Sequence, residues 1–432
     1  MDIAELYKIF LGCQGVTTDS RNCPEGSLFI ALKGDKFNGN LFAAKALESG
    51  CAYAVVDEDV PELEGNPRCL RVDDGLRTLQ LLANYHRRQL GTPIIGITGT
   101  NGKTTTKELI AAVLKQRYRV LYTQGNLNNH IGVPLTLLGL RPEHELAVIE
   151  MGASHPGDIK ELVDIAEPNH GIITNVGKAH LEGFGSFEGV MRTKGELYDF
   201  LRRKGTPHVF LHLDNPYLRQ MAQGMDLTTY GEEDGLFVSG HVTGNSPFLS
   251  FCWKSRTDAT LHEVQTQLIG AYNFANALAA VCIGRYFDVA PADIDRAIAG
   301  YTPQNNRSQL KQTDSNTLII DAYNANPTSM RAAIDNFRLM EAKDKMLILG
   351  DMRELGADSA QEHQQIVDYL EACGFTDVVL VGSQFAATRH SYPTYADAPS
   401  LIEALRNQKP SHKTILIKGS NGIRLSTVVD EL

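Results

Sequence analysis

A glycine-rich segment, GTNGKTT from Gly99 to Thr105, has the residue types that bind nucleotide phosphates. An apolar strand pattern precedes it and a helix pattern follows, so its backbone N–H groups would meet a phosphate at a helix N-terminus. The Lys103 ammonium would contact the β- and γ-phosphates, and the Thr104 hydroxyl would bind Mg²⁺. The spacing is a variant, because the common pattern has a glycine where this chain has Ile97. We predict a nucleotide-phosphate site; a glycine-rich turn without a ligand is the alternative.

Three further side chains could take part in this chemistry. Glu150 ends the apolar segment ELAVIEMG, at the edge of a parallel sheet where ligands bind, and its carboxylate oxygens suit Mg²⁺. His180 lies in a glycine-rich loop directly after a strand pattern, a position where functional histidines are common. Lys194 lies within a helix pattern, where a solvated face is the default interpretation. The pattern alone makes Glu150 a metal candidate and leaves Lys194 open.

Three blocks of strand and helix patterns would position these residues. The first block has strand patterns at SLFIALKG and AYAVVDE with a helix pattern between them, and Arg87–Pro93 resembles a linker. The second and third blocks alternate strands and helices, which predicts doubly wound, mainly parallel sheets. Residues 228–267 are rich in β-formers and predict a strand meander, and the polar stretch Tyr301–Gln309 predicts a boundary. We therefore expect an α/β protein of three domains, at residues 1–88, 89–303 and 304–432.

Composition narrows the class of protein. The chain has 432 residues and a formal net charge of −10, without a Lys- or Arg-rich block, which argues against a nucleic-acid surface. Its seven cysteines are scattered without a CxxC pair, which is typical of reduced thiols in the cytosol. No apolar run reaches the ~20 residues of a membrane span, and the N-terminus lacks signal-peptide features. We expect a cytoplasmic protein.

Taken together, these motifs resemble the Mur ligases, which make the cytoplasmic precursor of peptidoglycan. The resemblance rests on GTNGKTTTKE, on Gly125–Leu138, on the end of the Glu150 strand and on NVGKAHLEGFGS with the following TKGE. Asp321–Met330 and Leu349–Gly356 are similar to the family members that add D-alanyl-D-alanine to UDP-N-acetylmuramoyl-tripeptide. The N-terminal TTDSR fits their uridine-nucleotide domain, so the resemblance covers all three blocks.

The resemblance implies roles for individual residues. Lys103, His180 and Lys194 would be catalytic, and Thr104, Glu150, His180 and Lys194 would bind metal. Contacts with ATP would come from Gly99, Thr100, Asn101, Gly102, Lys103, Thr104, Thr105, Asn273, Asn276, Arg307, Asp321, Tyr323 and Asn324. Substrate contacts would come from Ser20, Arg21, Lys33, Asn38, Asn128, Asn129 and Asn326.

The same resemblance implies cofactors and partners. ATP would be used with two Mg²⁺ ions, and Lys194 would be carbamylated. The partners would be UDP-N-acetylmuramoyl-tripeptide, with diaminopimelate or lysine as its third residue, and D-alanyl-D-alanine. No nucleic acid or membrane span is expected, and the protein would be a monomer. Two departures from the family pattern put local contacts in question: Tyr272 stands where His is usual, and Asn421 where Arg is usual.

Two alternatives stay open at this point. A related ligase, such as the diaminopimelate-adding Mur ligase or folylpolyglutamate synthase, would share the phosphate loop. The former carries a C-terminal DNPR motif, whereas here Asp214-Asn215-Pro216 lies in the second block and is followed by Tyr217. The other alternative is an ATPase or binding module that does no ligation, and it predicts ADP release without an acceptor.

Overall fold

A computed structural model describes residues 1–205, 208–304 and 307–432 of the chain. Three main sheets organise them, of four, nine and six strands, with a separate two-stranded hairpin. Each main sheet corresponds to one block of the sequence. The α/β class is therefore confirmed. Within the predicted boundary Tyr301–Gln309, residues 305 and 306 lie outside the described part of the chain.

The N-terminal unit is a small parallel sheet with the strand order β1-β2-β5-β6. Its strands and the hairpin strands are β1 (Val16–Thr17), β2 (Leu28–Ile30), β3 (Lys33–Gly34), β4 (Phe37–Asn38), β5 (Tyr53–Val56) and β6 (Cys69–Arg71). Its helices are α1 (Ile3–Leu11), α2 (Ala43–Glu48) and α3 (Gly75–Leu90). The predicted strands and the helix between them are confirmed.

Helix α3 corrects one prediction. The linker interpretation of Arg87–Pro93 is wrong for its first four residues, because α3 continues to Leu90 and ends at Gly91 in a left-handed conformation. The Arg87 side chain is buried, and it donates 2.8 Å hydrogen bonds to the carbonyls of Ala166 and Glu167 at the end of a neighbouring helix. The polar sequence with two adjacent arginines was interpreted as a linker. Arg87 instead donates to carbonyls that the end of the neighbouring helix leaves without a partner.

The central unit is a nine-stranded sheet with the order β15-β14-β13-β12-β11-β10-β7-β9-β8. In this order, each adjacent pair of strands between β13 and β8 is parallel. Strand β14 pairs antiparallel with both β13 and β15. The predicted meander is thereby confirmed. The strands are β7 (Ile94–Thr98), β8 (Val120–Tyr122), β9 (Leu146–Glu150), β10 (His170–Ile173), β11 (His208–His212), β12 (Asp226–Gly231), β13 (Val238–Asn245), β14 (Phe248–Ser255) and β15 (Asp258–Ile269).

Helices cover both faces of this sheet, because alternate strand residues point to opposite sides. Ile95 and Ile97 of β7 share one core with α4 and α10, whereas Ile94 faces the other core, which includes residues of α3. That second core also contains residues of the N-terminal unit. The helices are α4 (Lys103–Leu114), α5 (Gly132–Leu137), α6 (Asp158–Ala166), α7 (Leu181–Phe184), α8 (Phe187–Lys204), α9 (Pro216–Met221), α10 (Phe274–Tyr286) and α11 (Pro291–Gly300).

The C-terminal unit is a second parallel sheet, with the order β16-β17-β21-β18-β19-β20 and one antiparallel edge strand, β16. Its strands are β16 (Gln309–Gln312), β17 (Thr317–Asp321), β18 (Lys345–Gly350), β19 (Val378–Val381), β20 (Thr394–Tyr395) and β21 (Thr414–Lys418). Its helices are α12 (Pro327–Leu339), α13 (Ser359–Ala372), α14 (Ser383–Ala386) and α15 (Ala398–Asn407). The repeated strand–helix alternation confirms the predicted doubly wound arrangement.

Close packing of α10 against α4 generates a stability prediction. A Cβ added at Gly284 of α10 would lie 2.5 Å from Cγ1 of Val113 in α4. Overpacking of this kind costs about 1–3 kcal/mol, and alanine regains ~1 kcal/mol over glycine in a helix. Gly284→Ala should therefore lower the free energy of unfolding by up to about 2 kcal/mol, seen as a lower Tm in thermal denaturation.

Gly300→Ala is the matched control for this change. Gly300 ends α11, and an added Cβ there meets no heavy atom within 4 Å. This variant should be unchanged or more stable by up to about 1 kcal/mol. Equal Tm values for the two variants would mean that the α10–α4 interface relaxes around the extra methyl group.

Candidate functional site

A cavity of about 830 Å³ lies between the central and C-terminal units, beside the phosphate loop. Both units contribute side chains to the lining of this cavity. Sixteen of the predicted residues line it: Thr100, Asn101, Gly102, Lys103, Thr104, Thr105, Asn128, Asn129, Glu150, His180, Asn273, Asn276, Arg307, Asp321, Tyr323 and Asn324. The remaining predicted residues, which are not part of its lining, are Gly99, Lys194, Asn326, Ser20, Arg21, Lys33 and Asn38.

The phosphate loop connects the end of β7 to the start of α4. Gly99 and Gly102 have φ values of 142° and 77°, which residues with a side chain rarely adopt. An added Cβ would lie 2.0 Å from Oγ1 of Thr174 at Gly99, and 2.6 Å from Oδ1 of Asn276 at Gly102. Both glycines are therefore required by conformation and by space.

Lys103 is folded back onto its own loop. Its ammonium donates hydrogen bonds to the carbonyl oxygens of Gly99 at 2.8 Å and Thr100 at 3.2 Å. Burial lowers the pKa of this lysine, and the nearby Glu150 carboxylate opposes the shift. An incoming phosphate would offer the ammonium a charged acceptor in place of two neutral carbonyls, and charge-assisted hydrogen bonds are the stronger kind.

Glu150 is buried at the end of β9, and one of its oxygens is held by two donors. Oε1 accepts hydrogen bonds from Oγ1 of Thr104 at 3.2 Å and from Nδ2 of Asn128 at 2.8 Å. Within the described residues, Oε2 has no hydrogen-bond partner. A threonine hydroxyl and a carboxylate in contact are oxygen donors that fit Mg²⁺.

No group of three or more His, Cys, Asp or Glu side chains in the described ranges is assembled as a metal cage. Mg²⁺ is commonly bound by one or two carboxylates together with substrate phosphates and water. The pair formed by Thr104 and Glu150 suits that mode, in which the nucleotide supplies the other oxygens.

Lys107 is a buried cation that the sequence analysis missed. Its side chain is completely buried, and its ammonium lies 3.7 Å from Oε2 of Glu150 and 3.8 Å from Oε1 of Glu108. In the described part of the chain this ammonium has no hydrogen-bond partner. The position one turn after Lys103 in the same helix was the available signal, since residues four apart share a helix face. Lys107 balances the charge of the metal candidate.

His180 and Lys194 lie close to this edge in different settings. His180 has a left-handed backbone, with φ of 50°, and its Nδ1 contacts the carboxylate of Glu354 from the C-terminal unit. Lys194, on α8, is 2% exposed, and its ammonium lies 5.4 Å from the ring centre of Phe184. Burial, together with the charge of Lys103, holds the pKa of Lys194 well below its usual range. The default interpretation of Lys194 as part of a solvated face is therefore wrong.

Asn276 of α10 packs against Gly102 of the phosphate loop, and Asn273 directly precedes this helix. Nδ2 of Asn276 donates to Oδ1 of Asn273 at 2.9 Å, and Nδ2 of Asn273 donates to the carbonyl of Ile269 at 2.9 Å. Oδ1 of Asn276 accepts from Oγ1 of Thr106 at 3.0 Å. Much of their hydrogen-bonding capacity is used inside the protein: Asn273 holds Asn276, and Asn276 holds the start of α4. Their contact with adenine stays a prediction.

Arg307 lies at the start of the C-terminal unit, and its guanidinium stacks on the ring of Tyr323, 3.6 Å from the ring centre. Tyr272, which departs from the family pattern, has its hydroxyl 2.7 Å from Oγ of Ser308. Tyr272 therefore connects the central unit to Ser308, the residue that follows Arg307. Both aromatic side chains line the cavity.

The C-terminal unit brings one more buried cation that was missed, Lys418. Its ammonium donates to Oδ2 of Asp321 at 2.6 Å and to the carbonyl of Asn324 at 3.2 Å. Asp321 and Lys418 are register partners at the ends of the parallel strands β17 and β21. This pair could have been predicted from the sequence, because a carboxylate and an ammonium each follow an apolar strand pattern.

Asn326 reaches the phosphate loop, although it is not a lining residue. It caps α12 by accepting a hydrogen bond from the N–H of Ser329, and its Nδ2 donates to Oδ1 of Asn101 at 2.8 Å. Asn326 therefore caps a helix and links the two units, and its contact with a substrate stays a prediction.

The predicted uridine-nucleotide residues lie on the N-terminal unit. Lys33 and Asn38 are paired across the β3–β4 hairpin, and both contact the carboxylate of Glu58, at 3.2 and 2.7 Å. Arg21 is exposed and forms a two-point ion pair with Asp19. The neighbouring Ser20 is mostly buried.

Comparison with known proteins places these features in a family. Family models match three consecutive parts of the chain: "Mur ligase family, catalytic domain" at residues 13–87, "Mur ligase middle domain" at 97–284 and "Mur ligase, glutamate ligase domain" at 306–421. The UDP-N-acetylmuramoyl-tripeptide–D-alanyl-D-alanine ligase of Bacillus subtilis (strain 168) is 37% identical over 437 residues, which cover 97% of this chain and 93% of that relative.

Solved structures agree with the sequence matches. MurF from Acinetobacter baumannii is 29% identical, with a TM-score of 0.86 over 100% of this chain and 98% of that chain. The MurF ligase from Thermotoga maritima, crystallised in complex with ADP, is 25% identical, with a TM-score of 0.85 over 98% of this chain and 97% of that chain.

The buried pair of Lys107 and Glu150 generates a second stability prediction. Lys107→Met would leave the Glu150 carboxylate buried without its cation, which typically costs about 3–5 kcal/mol. Lys115→Met is the matched control, because Lys115 is exposed and its ammonium lies 4.2 Å from the centre of the Tyr122 ring that Lys107 also faces. The control should lose less than about 1 kcal/mol.

Thermal denaturation of both variants without nucleotide or metal would compare them with the parent protein. Equal Tm values for the Lys107→Met variant and the parent would show that Glu150 does not need the ammonium, and would contradict the role assigned to Lys107.

Proposed function

The chain belongs to the Mur ligase family, and we propose that it uses ATP to join D-alanyl-D-alanine to UDP-N-acetylmuramoyl-tripeptide. The activity comes from the name of the Bacillus subtilis relative, whose similarity extends over nearly the whole of both chains. One structural observation carries the proposal: the phosphate loop, Glu150, His180 and the C-terminal Asp321–Asn324 segment all line one cavity.

The reaction requires activation, because a peptide carboxylate is a poor electrophile. The carboxylate oxygen attacks the γ-phosphorus of ATP, the bond to the β-phosphate oxygen breaks, and ADP leaves. The amine of D-alanyl-D-alanine then attacks the carbonyl carbon of the acyl phosphate and loses a proton. Phosphate leaves with the electron pair of the C–O bond, and an amide remains.

The first step brings two anions together, so cations and positioning supply much of the rate. Lys103 moves from the loop carbonyls to the β- and γ-phosphates, and N–H groups at the start of α4 donate to the same phosphates. Thr104 and Glu150 would hold one Mg²⁺, and His180 with carbamylated Lys194 would hold a second. Ions bound there would supply charge neutralisation for the phosphates and the carboxylate.

Lys194 is carbamylated in this proposal. A carbamate forms only from a neutral amine, and burial that lowers the pKa of Lys194 favours the neutral form. Carbamylation would convert a buried ammonium into an anion, which suits a position next to metal ions. The ring centre of Phe184 lies 5.4 Å from its ammonium, and the charges of Asp158 and Glu196 oppose the lowering of its pKa only in part.

The other predicted residues divide between the substrates. Thr100, Asn101, Asn273, Asn276 and Arg307 approach ATP from the central and linking segments. Asp321, Tyr323, Asn324 and Asn326 approach ATP or the dipeptide, and Asn128 and Asn129 flank the phosphate loop. Ser20, Arg21, Lys33 and Asn38 contact the uridine nucleotide.

The three sheets correspond to a division of labour. We assign the uridine nucleotide to residues 1–88, ATP to residues 89–303, and the closing ligase unit to residues 304–432. The C-terminal unit closes over the cavity and keeps water from the acyl phosphate. None of the described helices combines the length and apolarity needed to cross a bilayer. The protein would act as a monomer in the cytoplasm, where the relatives' nucleotide substrate is made.

Omission of single substrates tests the proposal. Pure protein is mixed with ATP, Mg²⁺, UDP-N-acetylmuramoyl-tripeptide and D-alanyl-D-alanine, and each component is left out in turn. Phosphate release and formation of the pentapeptide nucleotide, measured by mass spectrometry, should both require all four. Both forms of the tripeptide, with diaminopimelate and with lysine, are compared. Phosphate release that is independent of D-alanyl-D-alanine would favour an ATPase without ligase activity.

The role of Lys194 generates a separate prediction. Lys194→Ala should abolish ligation, and small carboxylates such as formate should partly restore it because they replace the carbamate anion. Protein supplied with ¹³C-bicarbonate should show a carbamate signal by ¹³C NMR that the variant lacks. Lys204→Ala, at the exposed end of the same helix, is the control and should keep both activity and signal. Full activity of Lys194→Ala would remove this lysine from the site.

A further inference from the structure

The segment LGDMRELG, from Leu349 to Gly356, has no role in the reaction described so far, yet it reaches the predicted metal ligand His180. The carboxylate of Glu354 contacts Nδ1 of His180. We infer that Glu354 is a positioning residue that the C-terminal unit supplies to fix the orientation and the tautomer of His180. This inference rests on the proposed function, because it takes His180 as a ligand of Mg²⁺.

The backbone on both sides of this contact is held in an uncommon conformation. His180 and Glu354 both have positive φ values, 50° and 65°, although neither is glycine. Such residues cost free energy and cluster at functional sites, where the surrounding structure holds them. The N–H of Glu182 also approaches the carbonyl of Glu354, at 3.4 Å. The two loops are therefore matched to each other through the backbone as well as through the side chains.

The chemistry of imidazole explains what the contact achieves. A carboxylate at Nδ1 keeps the proton on that nitrogen, which leaves the lone pair of Nε2 for a ligand. Nδ1 of His180 is buried and faces the Glu354 carboxylate at ion-pair distance, but within the described residues it has no hydrogen-bond partner of good geometry, while the residue lines the cavity. Metal-binding histidines commonly donate their second N–H to a carboxylate, and this partner also increases the basicity of the ligand.

A second ion pair lies beside the first and provides a comparison. Lys178 is two residues before His180, and its ammonium lies 2.8 Å from Oε1 of Glu362 at the start of α13. Glu362 is almost completely buried. Both pairs connect the same loop of the central unit to the C-terminal unit, but only the pair of Glu354 includes a predicted ligand.

This arrangement links the metal to the position of the C-terminal unit. Glu354 belongs to that unit, and His180 to the central one. If the C-terminal unit moves away, His180 loses the carboxylate that orients it. The second ion would then be bound well only when the unit that covers the cavity is docked.

The test compares Glu354→Ala with Glu362→Ala. The first variant removes the carboxylate on His180, and the second breaks an ion pair at the same interface. Mn²⁺ binding is titrated by electron paramagnetic resonance in the presence of a non-hydrolysable ATP analogue, and the Mg²⁺ dependence of ligation is measured alongside. Tm values check that both variants are folded, and Glu354→Asp tests whether a shorter carboxylate restores binding.

Loss of a carboxylate partner typically weakens metal binding by about 10–100-fold. For Glu354→Ala we expect a loss of this size for one Mn²⁺ ion, a matching rise in the Mg²⁺ requirement, and recovery of kcat at high Mg²⁺. Glu362→Ala should leave the metal affinity unchanged. Adding Glu354→Ala to His180→Ala should cause no further loss, because both act through one ligand.

Equal effects of Glu354→Ala and Glu362→Ala on Mn²⁺ affinity would overturn the inference, since they would indicate a general contact between the units. Unchanged affinity in Glu354→Ala, or a further loss in the double variant, would overturn it as well. Failure of the parent protein to ligate in the substrate-omission assay would instead contradict the proposed function, and the Mn²⁺ titration distinguishes the two cases.

Discussion

The site depends on one tight loop, Gly99–Gly102, between β7 and α4. Its glycines leave no room for side chains, because Thr174 and Asn276 pack directly against them. The loop fixes where α4 begins, and the start of α4 places Lys103, Thr104 and Lys107 beside the end of β9. Asn276 of α10 packs against Gly102 and accepts a hydrogen bond from Thr106 in α4. A change of this loop would therefore displace cations and metal candidates together.

The site also contains several buried lysines. Lys103 donates hydrogen bonds to loop carbonyls, Lys107 faces Glu150, and Lys418 is paired with Asp321. Removing ions from water is costly, so buried charges are expected to be paired. The partners differ in kind, however. Carbonyl partners can be exchanged for a phosphate at little cost, whereas the carboxylate partners form a fixed frame. This difference separates Lys103, which is proposed to bind the nucleotide, from the cations that hold the site in shape.

Local pattern predicted much of this architecture. The strands at residues 226–269 agree within a few residues with the meander predicted at residues 228–267, because hydrophobic period and turn residues are local properties. The phosphate loop and Glu150 were also predicted, since both follow apolar strands. Lys107, Lys418 and Glu354 were not, because their partners are distant in sequence or depend on packing. Lys107 resembled any helix lysine until the fold placed Glu150 against it. The error at Arg87–Leu90 has the same origin.

Helix α3 lies in one continuous core that combines residues of the N-terminal sheet with residues of the central sheet. It links the unit that is proposed to recognise the uridine nucleotide to the unit that carries the phosphate loop, without a flexible joint. Exchange of the N-terminal unit between ligases would therefore have to include this helix and its contacts with α5 and α6. Evolution could vary the C-terminal unit more freely, because its main cores are largely its own. Recognition of the nucleotide substrate would then diversify more slowly than recognition of the incoming amine.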